Sequence, residues 1–72
     1  MASETWIEAL VTVIDEKRVK ADVWFLTKHR DNFFVWYQIG HDEQVDRGEE
    51  PEHYETREEV RARWREIAIL AR

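Results

Sequence analysis

Phe33-Phe34-Val35-Trp36-Tyr37-Gln38-Ile39 decides how this chain folds. A strand sends alternate side chains to opposite faces. Here Phe33, Val35, Tyr37 and Ile39 fall on one side, and Phe34 and Trp36 on the other. Both sides are large and apolar, which is more than a small sheet with one covering layer can bury. One set expects an internal partner and the other expects something outside the chain.

Working upstream, Val19 to Lys28 alternates in the same way, with Val19, Ala21, Val23 and Phe25 on one side and Lys20, Asp22 and Trp24 on the other. Arg30-Asp31-Asn32 joins this strand to the aromatic one, because Asp and Asn bond their own backbone and tolerate positive φ. The N-terminal segment, Thr5 to Asp15, fits two periods. With period two, Ile7, Ala9, Val11 and Val13 share a face; with period 3.6, Trp6, Ile7, Leu10, Val11 and Ile14 form a helical stripe capped by Ser3. The β-branched run Val11-Thr12-Val13-Ile14 favours the strand.

Downstream, Gly40 to Glu55 is polar and broken by Gly48 and Pro51, which reads as a long acidic loop with room for one helical turn around Asp42 to Arg47. Thr56 followed by Glu59 is a capping box. Beyond it Val60, Trp64, Ile67 and Ala71 lie on one arc of a helix flanked by Ala68 and Leu70, with Glu59 and Arg63 spaced as an i,i+4 ion pair and Arg61, Arg63, Arg65 and Arg72 placed late. The expected fold is therefore α+β in a single domain, residues 1–72. It is a three-stranded antiparallel β-meander (about 5–15, 18–29 and 32–39) with a C-terminal helix (about 57–71) packed on one face, a βββα order. An αββα order with an N-terminal helix is the alternative.

Matching the apolar faces of the three strands puts Ile7, Ala9, Val11, Val13, Val19, Ala21, Val23, Phe25, Phe33, Val35, Tyr37 and Ile39 under the helix, because a one-residue slip would turn every side chain over. Trp6 then pairs with Leu26 and Leu26 with Trp36. Trp6, Trp24, Leu26, Phe34 and Trp36 become an aromatic row on the outer face. Exposed apolar patches of that size mark interfaces, so these five are the candidate interface residues.

Composition narrows the function classes. A 72-residue chain buries a modest core. With no Cys it has neither disulfides nor thiolate metal sites, leaving oligomerisation or tight packing as the stabiliser. The absence of Cys, of a signal-like N-terminus and of a long apolar run predicts a cytoplasmic protein without membrane association. The net charge is −5, and the stretch Asp42 to Glu59 holds nine acids against Arg47 and Arg57, a local −7 that leaves the rest at +2. An acidic chain is repelled by phosphates, which argues against nucleic acid as a partner.

Four candidate chemistries remain. Lys20, Lys28 and Arg30 beside Trp24, Phe34 and Trp36 would suit a platform for single-stranded nucleic acid. Asp42, Glu43, Asp46, Glu49, Glu50 and Glu52 form an acidic surface that an inhibitor or nucleic-acid mimic would offer to a basic groove, although the spacing fails the EF-hand pattern for calcium. His41 and His53 with Glu43 or Glu55 would make a zinc set only if the loop brought them together. His29 with Asp31 is the one base-and-orienter pair, and with Ser3 the only serine no nucleophile accompanies it. The reading is a non-enzymatic, cofactor-free protein-binding module that forms a homodimer, or binds another protein, through its outer sheet face.

Overall fold

The computed structural model describes residues 3–15, 17 and 20–71. Val19, expected in the core, Arg72, expected as a late helix charge, and most of the expected hairpin link at 16–19 lie outside them. The order is β1 (Glu4–Asp15), β2 (Lys20–Asp31), β3 (Phe34–His41), α1 (Asp42–Asp46), β4 (Glu52–Tyr54) and α2 (Arg57–Leu70). The fold is α+β, and its antiparallel sheet runs β1-β2-β3-β4 with four strands where three were expected. The additional strand is short and polar, so it carries no alternation by which to recognise it. The N-terminal segment is a strand throughout, which sets the αββα alternative aside.

The expected long loop is mostly structured. α1 ends in a Schellman motif: Gly48 takes φ 68°, its N–H donates to the Val45 carbonyl and the Glu49 N–H to the Gln44 carbonyl, both at 3.0 Å. A side chain with a Cβ would resist that backbone. At the other hairpin, Asn32 takes φ 56° and Asn32-Phe33 is the turn, so Phe33 is not a core residue. It is 99% exposed at the loop tip.

The core lies between the sheet and α2. Leu26, Tyr37 and Ile39 from the sheet meet Val60 and Ile67 from the helix, and each buried side chain of this kind contributes about 1.5–3 kcal/mol. Trp64, Trp24 and Tyr54 pack around them partly buried. Thr56 caps α2, accepting from the Glu59 N–H at 3.3 Å while its hydroxyl donates to the Glu59 carboxylate at 2.9 Å. Arg63 pairs with Glu52 and Glu66 instead of Glu59.

Register decides which side chains share the helix face. Leu26 pairs with Ile39, Lys28 with Tyr37 and Trp24 with His41. The even-numbered residues of β2 therefore face the helix, one residue out of phase with the expected arrangement. In β1, Ala9, Val11 and Val13 face the helix as expected. A bulge between Ile7 and Ala9 then shifts the register, so that Trp6 pairs with Lys28 and Ile7 with Thr27. Trp6 consequently lies on the helix side and Ile7 on the other.

Candidate interaction surface

These registers divide the expected aromatic row. Trp6, Trp24 and Leu26 are on the helix side, where Leu26 is core and the Lys28 ammonium sits 5.4 Å from the Trp6 ring. Phe34 and Trp36 are on the open side as expected. The same face carries Ile7, Leu10 and Ile14 from β1 and Ala21, Val23 and Phe25 from β2; of these Ile7, Ala21, Val23 and Phe25 are expected in the core, and the register turns them to the open side. The cause is that both faces of β2 are apolar, so alternation alone does not say which one is inward.

No helix lies on this open face among the described residues. Ile7, Leu10, Ile14 and Phe34 are 62%, 61%, 66% and 73% exposed. Phe25 lies flat over Gly40, its cross-strand partner, where a Cβ would come within 2.7 Å of the ring. A glycine in a strand that gives an aromatic ring room to lie down is the signal that could have placed Phe25 on this side.

A polar set sits at one end of the same face. His29 Nε2 is 2.9 Å from the Thr27 hydroxyl and Nδ1 is 2.9 Å from the Thr5 hydroxyl. Because Thr27 gives its own proton to the Gln38 carbonyl, its oxygen accepts from Nε2–H. Nδ1 is then the acceptor for Thr5, a neutral imidazole with both nitrogens satisfied. The ring stacks on Trp36 with centroids 5.4 Å apart and planes 8° apart. Burial, and then the nearby charge of His53, lower its pKa. At the margin Asp31, Phe34, Val35, Trp36, His53 and Glu55 line a groove of about 660 Å³.

Charge is distributed between the two faces in an unusual sense. A sheet covered on one side by a helix normally turns polar residues to water. On this sheet, positions on the open side from Thr5 to His53 include one carboxylate, Asp31, whereas the helix side carries Glu4, Lys20, Asp22, Lys28, Arg30 and Glu52. In a chain that is 38% charged, the uncovered face is the one with little charge.

The other candidate groups are engaged elsewhere. Lys28 and Arg30 project on the helix side, away from Phe34 and Trp36, and Lys20 pairs with Glu43 at 3.0 Å; of the expected nucleic-acid platform, Trp24 shares the helix side with the three cations, whereas Phe34 and Trp36 are on the opposite face. Within the acidic surface, Glu43 also meets Arg47 and Glu49 takes the Arg47 guanidinium at 2.8 Å, leaving Asp42, Asp46 and Glu50 as its exposed members without these pairings. Glu52 accepts two hydrogen bonds from Arg63, at 2.8 and 3.2 Å, and one from the Tyr54 hydroxyl. Burial pushes the Glu52 carboxyl up, but those donors outweigh it and hold it below the ordinary value. Burial and the same carboxylate push Tyr54 up to about 12.

His41 donates to Asp22 and stacks on Trp24, with centroids 4.1 Å apart. His53 pairs with Gln38 and so faces the open side, which separates the two imidazoles of the proposed zinc set by the thickness of the sheet. His29 bonds threonines and not Asp31. No helix among the described residues is long and apolar enough to cross a membrane.

Comparison of the chain with protein-family models, with curated proteins and with solved structures finds no match.

Proposed function

We propose that this chain is a protein-interaction module that self-associates through the open face of its sheet and performs no catalysis of its own. The observation that carries the reading is the charge-poor, largely apolar open face of an otherwise highly charged molecule, with Ile7, Leu10, Ile14, Phe25, Phe34 and Trp36 on it. Two such faces are self-complementary under a two-fold axis, and packing sheet on sheet would complete the core that one short chain leaves small. With its acids, Asp31 and Glu55, confined to the margin, the face brings few of the charges of a net −5 chain together on pairing. A platform for single-stranded nucleic acid has less support because the open face lacks cations, and the inhibitory reading has less because Glu43, Glu49 and Glu52 are neutralised by partners within the chain.

Sedimentation at micromolar concentration tests this directly. The expected result is a dimer that Leu10→Lys converts to a folded monomer, since Leu10 is exposed in the single chain and its replacement costs the fold little. A monomer for the unmodified chain, or a dimer unaffected by Leu10→Lys together with Trp36→Ser, would overturn it.

A further inference from the structure

On the opposite side of the sheet a second surface has different chemistry. Arg57, Arg61 and Arg65 stand one turn apart along α2 and form one wall of a groove of about 450 Å³. Its floor is apolar, with Leu26, Tyr37 and Trp64, and Glu8 closes the far side, turned inward with Ala9 by the bulge in β1. Among the described residues these three guanidiniums have no ion-pair or hydrogen-bond partner, whereas Arg63 on the same helix is held by Glu52 and Glu66.

The arrangement is electrostatically unfavourable as it stands. Like charges at i,i+4 repel across a helix turn, and Arg57 occupies the first position of α2, where the helix dipole disfavours a cation. The fold sets three like charges in a row over apolar ground, one of them against the helix dipole. An anion in the groove would relieve both terms at once. Guanidinium groups spaced along a helix favour carboxylates taken in two-pronged hydrogen bonds, and the floor asks for an apolar side chain between them. A uniform polyphosphate supplies no such side chain.

We propose that this groove binds an acidic peptide segment of a partner protein, its carboxylates on Arg57, Arg61 and Arg65 and an apolar side chain over Trp64. The site is independent of the open face, and occupation of either leaves the other free. The test is anisotropy of a fluorescein-labelled peptide of repeating Glu-Glu-Leu, with an oligothymidylate of similar charge in parallel. The expected result is saturable peptide binding that weakens with salt and falls by about tenfold or more when Arg57→Gln, Arg61→Gln and Arg65→Gln are combined, the variant keeping its circular dichroism spectrum. The Leu10→Lys variant should bind the peptide as the unmodified chain does. Absence of peptide binding at low salt, equal binding by the triple variant, or tighter binding of the oligothymidylate would each overturn the proposal.

Discussion

The ring of Phe25 lies across Gly40, and a Cβ at position 40 would stand 2.7 Å from its Cε2. This contact holds an aromatic ring flat on the open face, where a larger residue opposite would lift it. Gly40→Ala should therefore destabilise the fold by about 1 kcal/mol or more through overpacking. In a Phe25→Ala background the same change should be neutral or stabilising, because the obstacle is gone and alanine is a better strand residue than glycine. A double-mutant cycle by urea unfolding measures the coupling; equal effects of Gly40→Ala in both backgrounds would refute the contact's role.

Glu52 joins β4 to α2 through Arg63. Its folded pKa lies below the ordinary 4.5, so the stability it contributes is present above pH 4.5 and lost as pH falls through the folded value. Glu52→Gln should cost about 1 kcal/mol at pH 7, reduced by the partial exposure of both partners, and should flatten the acid limb of the stability curve. At the alkaline end Tyr54, raised to about 12 from 10.0, favours the folded state below pH 10, an advantage lost as pH rises toward 12. Tyr54→Phe should remove that loss.

His29 works in the opposite part of the range. Burial and His53 lower its pKa from 6.5, so the unfolded chain takes up this proton before the folded chain does. Stability from this group is complete above pH 6.5 and declines as pH falls through that value. Unfolding midpoints in urea at pH 8 and pH 5 should differ less in His29→Gln than in the unmodified chain.

Ile67 is fully buried and Phe33 almost fully exposed. Ile67→Ala should cost about 2–5 kcal/mol, enough to unfold much of a domain this small. Phe33→Ser removes more apolar surface from the chain yet should move the unfolding midpoint little. Reversal of that order would contradict the position of the turn at Asn32.

Much of the fold is legible because its signals are redundant. Thr56 and Glu59 announce the start of α2 by capping, and Val60 and Ile67 repeat at the spacing that the core uses. The run Val11 to Ile14 is β-branched enough to choose a strand over a helix. The faces of β2 are a different matter: Phe25 and Leu26 are both large and apolar, so hydrophobicity does not rank them, and the decision rests on Ile39 across the ladder. β4 is not legible because three residues carry too few alternations, and Glu52 and Tyr54 are held in place by Arg63 and each other. The open face was legible as a surplus of apolar residues and only partly in its membership, with Phe34 and Trp36 correctly placed.

The bulge at Glu8 acts as a change of phase in an otherwise periodic strand. Ile7 and Leu10 are three residues apart and share a face, while Trp6 and Ala9 share the other. Removing Glu8 would restore strict alternation and leave every other side chain on its present face, Trp6 and Ala9 on the helix side and Ile7 and Leu10 on the open side. The open surface would keep its composition, and the groove on the reverse would lose its carboxylate. A deletion at position 8 is therefore a single edit that alters the groove and leaves the open face with its members, which separates the two surfaces in one chain.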